Sequence, residues 1–262
     1  MKKIIYLFFL LALALSCTED ELGKSYPSRM ISQGETFNDY PSESDSSITF
    51  IGYKEKGSET VTGRNKLWFQ VKFGDTIVKI QTSKTNPSIT NGKFLRGKFM
   101  NTQRTCLLVQ ISDNLGLRAN FYLIALKNHR LSVTELTRPS TFKGVNGYAG
   151  LIDVGSEGYL INNEFLISYV NAKVHFIKRQ DPEVPLQGQY YMKSPDHQTF
   201  VFLQPNSLYQ VNYLTDETLT LPLNVDARKP GISIHIHENY AWKTKRPGVM
   251  FLMEDKNALA TK

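Results

Sequence analysis

The chain has 262 residues, 41% of them hydrophobic, enough for one large domain or two small ones. Its 31 Lys and Arg against 24 Asp and Glu give a formal charge of +7, but no long basic run occurs, which argues against nucleic acid as a partner and for a solvated mixed-charge surface. Two cysteines, Cys17 and Cys106, allow at most one disulfide.

The chain starts with Lys2 and Lys3, an apolar run from Ile4 to Leu15, and Ser16-Cys17. The run is too short to span a bilayer as a helix, which takes about 20 apolar residues. A charged start, short apolar core and small-residue exit are the parts of a secretory signal. Ala14-Leu15-Ser16-Cys17 resembles the lipobox of bacterial lipoproteins. That resemblance implies that residues 1–16 are cut off and that Cys17 is acylated on sulfur and on its new amine. Membrane lipid is then the first partner, because two or three acyl chains hold a protein on a bilayer almost permanently. Thr18-Glu19-Asp20-Glu21 follows at once. The cluster is similar to the acidic export signal of surface lipoproteins of the Bacteroidota. It implies an outer-membrane anchor at the cell surface, with Glu19, Asp20 and Glu21 as the address. If these acids are only a solvated spacer, the periplasmic face is the alternative.

Residues 17–47 read as the lipidated cysteine and a flexible tether. Seven serines fall between Thr18 and Ser47, and such a segment buries too little apolar surface to offset its ordering entropy. Its expected reach is about 30 Å. From Ile48 onward the pattern changes to short β-branched and aromatic runs bounded by Gly, Pro, Asn and Asp, so residues 48–262 read as a single all-β domain. Leu67–Phe73 and Thr76–Ile80 flank Gly74-Asp75, a hairpin signal. Ala119–Leu126 and Leu131–Leu136 flank Lys127-Asn128-His129-Arg130. Cys106 sits in an apolar run, Thr105–Ile111, where a lone thiol acts as a small buried hydrophobe.

The strands group into units beginning near residues 48, 94, 148, 188 and 230. The third reads as four strands, Tyr148–Val154, Tyr159–Ile161, Glu164–Val170 and Lys173–Lys178. The fourth reads as Gln189–Met192, Thr199–Leu203, Leu208–Leu214 and Thr218–Leu221. Antiparallel four-stranded meanders at this spacing predict a β-propeller-like arrangement. A two-sheet β-sandwich or a partly open barrel accounts for the same strands, and no blade signature recurs to decide. No window shows a capped helical period.

Ser233, His235 and His237 alternate with Ile232, Ile234 and Ile236. On a strand the two histidines share a face, which makes them weak candidates for half of a metal site, although no third ligand is local. A polar strand face carrying two histidines is the plainer reading, so no cofactor is expected. Asp113, Asp153 and Glu157 sit near strand ends, where glycosidases place paired carboxylates. Neither a Gly-x-Ser-x-Gly elbow nor a phosphate-binding loop is present. Trp68, Tyr240 and Trp242 are candidates to stack on sugar rings or anchor a protein. Trp242-Lys243-Thr244-Lys245-Arg246 is the densest basic-aromatic patch.

An anchor, a tether and many strands without a catalytic constellation predict a non-enzymatic binding or assembly module for a glycan or an envelope protein. The alternatives are a glycosidase-like hydrolase at the cell surface, and an envelope-located protective or inhibitory protein.

Overall fold

The structure, a computed structural model, describes residues 23–38, 48–59, 65–82, 85–111, 120–138, 150–183 and 188–255. The expected signal peptide, Cys17, Glu19, Asp20, Glu21 and Asp113 lie outside these residues. The fold is all-β. Among the described residues nineteen strands and one short α-helix build four layers stacked in chain order. Among the described residues no helix is long and apolar enough to cross a membrane.

The first layer is a partly closed seven-strand barrel. Its strands are β1 (Gly23–Met30), β3 (Asn65–Phe73), β4 (Thr76–Gln81), β6 (Phe94–Phe99), β7 (Cys106–Ile111), β8 (Asn120–Lys127) and β9 (Arg130–Glu135). β2 (Ile48–Glu59) extends the sheet beyond β3, and the two-residue β5 (Thr90–Asn91) extends it beyond β4. β1 closes the ring. It runs parallel to β4 through Gly23–Pro27 and parallel to β9 through Ser28–Met30. This corrects the tether expected over residues 17–47 where the structure describes it: residues 23–38 are part of the fold. β1 is polar and mostly exposed, but a ladder is made of backbone groups, so a polar strand closes a barrel as well as an apolar one. The chain after it also docks. Ile31 and Phe37 are buried, and residues 34–37 bond to the backbone of residues 172–174.

The barrel interior holds Ile48, Val71, Val78, Ile80, Phe94, Leu107, Val109, Tyr122 and Ile124. The expected hairpin at Gly74-Asp75 forms, with Gly74 at φ 58°. Its strands pair only at Lys72–Ile77 and Phe73–Thr76 before diverging to other partners. The β8–β9 turn carries Asn128 and His129 at φ 48° and 59°, the mirror-image geometry that suits a hairpin's twist. Cys106 is fully buried, and burial pushes its thiol pKa up, away from reactivity.

The second layer is the meander β10 (Leu151–Asp153), β11 (Tyr159–Ile161), β12 (Phe165–Ile167) and β13 (Val174–Phe176). One face packs on the outside of the barrel, where Phe165, Ile167 and Val174 meet Cys106, Leu108, Phe121 and Leu123. The other meets the third layer, the meander β14 (Gln189–Lys193), β15 (Thr199–Gln204), β16 (Ser207–Asn212) and β17 (Thr218–Pro222). Leu160 and Leu166 there touch the cluster of Phe200, Phe202, Tyr209 and Val211. The fourth layer is helix α1 (Ile232–Asn239) and the hairpin β18 (Tyr240–Arg246) and β19 (Val249–Glu254), packed on Val201 and Leu208.

The expected third and fourth units are therefore four-stranded meanders. The expected first two do not form separate blades but fuse into the barrel, and the fifth is a helix and a hairpin.

Helix α1 overturns the strand expected over Ile232–His237. Alternating isoleucines satisfy two periods at once, because Ile232 and Ile236 are also one helical turn apart. Both pack with Tyr240 in the fourth-layer core, while Ile234 is left 63% exposed. Gly231, at φ 88°, reverses the chain into the helix, and the Asn239 side-chain amide donates to the His235 carbonyl near its end (2.7 Å).

Candidate functional site

His235 and His237 do not share a face. Two positions apart on a helix, side chains diverge by about 200°. His235 is half-buried, edge-on to Tyr240 at 6.2 Å and next to the Asn239 amide, whereas His237 is exposed. Among the described residues no three His, Cys, Asp or Glu side chains gather as a metal would require. The aromatic candidates are also dispersed. Tyr240 is 7% exposed and Trp242 half-buried, both packed in the fourth-layer core, so they act as core residues. The basic residues beside them are engaged, Lys245 and Arg246 with Glu217 and Lys243 with the Glu254 carbonyl.

Asp153 and Glu157 do lie close in sequence and space, around the 3₁₀ turn Gly155–Glu157 that joins β10 to β11. Both are held by hydrogen bonds. Asp153 accepts from the Gly155 N–H (3.0 Å) and the Tyr169 hydroxyl (3.2 Å). Tyr169 stands edge-on to Tyr159 at 4.8 Å, and the Lys98 ammonium lies over Tyr159. Glu157 binds Lys193, Ser156 and His197, the last at 2.7 Å through Nδ1. Lys193 also donates to the Val154 carbonyl (2.7 Å). Burial alone would raise the Glu157 pKa, but Lys193, Ser156 and His197 outweigh it and hold it down to about 2. Burial and Tyr159 raise the Tyr169 pKa, and a hydrogen bond to Tyr159 raises that of Lys98. All three shifts move the group away from neutral pH. A glycosidase acid needs the opposite, a carboxyl raised toward neutrality. The cluster is a clasp between the second and third layers.

Trp68 has the most distinctive setting. It lies on β3 opposite Tyr53 of β2. Residues 51–54 and 59 of β2 pair with 70–67 and 65 of β3, and β3 meets the rest of the barrel only at Phe69, Lys72 and Phe73. The far part of this hairpin therefore extends beyond the barrel wall. Among the described residues β2 has no strand on its outer edge. Alternation puts Ile51 and Tyr53 of β2 on one face with Trp68 and Gln70 of β3. On the opposite face Phe50 stacks on Phe69 at 4.7 Å over Gly97, where a Cβ would strike the Phe50 ring. Ile51 and Leu67 are 41% and 49% exposed, one on each face. Sequence patterning pointed to Trp68 but not to Ile51 or Tyr53, whose role depends on β2 being an edge.

No protein-family model, no curated protein and no solved structure matches this chain.

Proposed function

We propose that this chain is a lipid-anchored outer-membrane protein that binds a glycan or an envelope protein without performing chemistry, with the β2–β3 hairpin as its contact element. The observation that carries this reading is the far half of that hairpin, which among the described residues has no strand along its outer edge and carries exposed aliphatics on both faces. A long edge strand of this kind invites pairing with another chain. A partner strand added along β2 would bond to its backbone, with Ile51, Tyr53 and Trp68 as side-chain contacts. The same aromatics suit the face of a sugar ring. The anchor at Cys17 and the acids Glu19, Asp20 and Glu21 support a cell-surface location. The stacked meanders support a blade-like reading of that half of the chain alone, and binding by the hairpin needs no closed ring.

The test is recovery of the native lipoprotein from membranes, with its bound proteins and glycans identified by mass spectrometry. It is run on wild type and on Ile51→Lys and Trp68→Ala variants of unchanged melting temperature. A partner retained by wild type and lost from both variants supports the reading. Equal recovery from all three sinks it, and glycan cleavage abolished by Glu157→Gln would install the hydrolase in its place.

A further inference from the structure

The outer edge of β2 carries a residue pattern that matches itself. Thr49, Ile51, Gly52 and Lys54 are exposed on this strand, and among the described residues no strand lies along its outer edge. Its pairing with β3 runs from Ile48 to Lys54 without a break and resumes at Glu59, so β2 is bonded on one side only among those residues.

Two copies of one strand that pair antiparallel are related by a two-fold axis perpendicular to the sheet. Such an axis leaves each face on its own side, so opposed residues lie an even number of positions apart in the sequence. The registers open to β2 are therefore few, and each is named by the residue on the axis. With Lys54 or Glu55 there, like charges oppose one another, which destabilises the pair. With Tyr53 there, Ile51 opposes Glu55. With Ile51 there, pairing ends at Lys54, because β2 begins at Ile48. With Gly52 there, pairing extends to Lys56, and Ile51 opposes Tyr53 of the other copy on both sides of the axis. Phe50 then opposes Lys54 and Thr49 opposes Glu55, so no like charges meet. A β-branched residue against an aromatic one is a favourable cross-strand pair. Within each copy Tyr53 already opposes Trp68, and Ile51 opposes Gln70. One face would then carry a row of Trp68, Tyr53, Ile51 and Gln70 across the junction, with its two-fold copy beside it. Gly52 brings no side chain to the axis, which suits the close approach of a second backbone.

We propose that the occupant of this edge is a second copy of the chain, paired antiparallel through β2 with Gly52 on the two-fold axis. The inference rests on the reading of the β2–β3 hairpin as the contact element and names the protein it meets. The argument for a second copy is that one sequence supplies both members of the apolar pair and keeps Lys54 and Lys56 away from opposed cations. A contact of one strand per chain lies at the small end of interface sizes, so the dimer is weak and reversible.

The experiment uses the mature chain carrying Cys17→Ser, so that no lipid gathers the copies and the fully buried Cys106 is the remaining thiol. Sedimentation equilibrium at concentrations up to about 1 mM, the weak end of the affinity range, should show monomer and dimer in exchange. Ile51→Lys, at a position 41% exposed and checked for an unchanged melting temperature, removes the Ile51–Tyr53 pair on both sides of the axis. It should raise the dissociation constant about tenfold. Register is read by adding an oxidant to single-cysteine variants. Opposed Cα atoms lie about 4.5–5.5 Å apart, within disulfide reach, whereas diagonal neighbours on the same face lie about 7–8 Å apart and beyond it. A mixture of Ile51→Cys and Tyr53→Cys chains should therefore cross-link well, and each variant alone poorly. A chain that stays monomeric at every concentration overturns the proposal, as does a dimer that Ile51→Lys leaves intact. So does Ile51→Cys cross-linking to itself as fast as to Tyr53→Cys, which would place another residue on the axis. A monomer whose hairpin variants still lose a partner from membranes removes the second copy alone and leaves the hairpin reading in place.

Discussion

Changing Phe37 to Ala asks directly whether the segment after β1 is part of the fold. Phe37 is 6% exposed, and it joins the cluster where Met100, Leu108 and Phe121 of the barrel meet Tyr159, Ala172 and Val174 of the second layer. Its N–H donates to the Ala172 carbonyl, and the Thr36 hydroxyl donates to the Asn171 carbonyl (2.8 Å). A buried Phe→Ala change costs about 3–5 kcal/mol in lost transfer energy and cavity. In a domain of this size each kcal/mol lowers the Tm by about 2–4 °C. The Phe37→Ala variant should therefore melt about 10 °C below wild type when followed by circular dichroism. Ile31→Ala, in the same cluster, should fall in the same direction. Arg29→Ala, which removes an exposed ion pair with Glu35 and a hydrogen bond to the Met30 carbonyl, should cost less than about 1 kcal/mol. If Phe37→Ala melts within about 2 °C of wild type, less than the shift of 1 kcal/mol, the docking of residues 31–37 is wrong and the tether reading returns.

Glu157→Gln should destabilise the fold by about 1–2 kcal/mol near neutral pH, after solvent screening is allowed for. Glu157 has a folded pKa of about 2 against an ordinary 4.5. Its contribution is therefore full above pH 4.5 and lost as pH falls toward 2, so denaturant titrations of wild type and variant should converge through that window. Gln210→Leu should cost about 3 kcal/mol in denaturant titrations, because the buried Gln210 amide both donates to the Leu252 carbonyl and accepts from its N–H (2.8 Å each) and both would be left unpaired. Cys17→Ser should abolish labelling by a fatty-acid analogue and release the protein from membranes; equal labelling of both forms would end the lipoprotein reading.

The parts of the fold legible in the sequence were those written in side-chain alternation and turn chemistry. The two meanders could be placed because Phe165–Ile167, Thr199–Gln204 and Ser207–Asn212 are buried apolar runs broken by turns such as Asn162-Asn163, both at positive φ. β1 was hidden because its fold contribution lies in backbone bonds to strands about 50 and 105 residues away, which its polar side chains do not advertise. Without it the barrel could not be closed from sequence, and two units read as blades. Helix α1 was hidden for the opposite reason, since its isoleucines advertise two structures and only the pocket beneath Ile236 chooses between them. Asp153 and Glu157 were visible only as carboxylates near strand ends, which the sequence could not pair, and the partners that tie Glu157, Lys193 and His197, stand 36 and 40 residues further on.

Apolar faces alone do not explain why four layers stack in one register, because hydrophobic contact is non-directional. Polar groups at the seams supply the direction. Glu164 and Arg179 form a buried pair beside the second layer, and Arg179 also donates to the Pro182 carbonyl (2.7 Å) and reaches the Arg138 carbonyl just beyond the barrel (3.5 Å). Arg138, just beyond β9, donates to the Ile177 carbonyl (2.6 Å) and lies over Phe176, so the chain leaving the barrel is fastened to the second layer. The Tyr209 hydroxyl of the third layer donates to the Lys178 carbonyl (2.8 Å). Asn212 donates to the Gly248 carbonyl (3.1 Å), and Gln210 reaches Leu252, which fastens the third layer to the fourth. Sliding any layer by one residue would leave several of these groups buried and unpaired, at about 1–3 kcal/mol each. Buried polar groups at the seams thus hold the layers in one register.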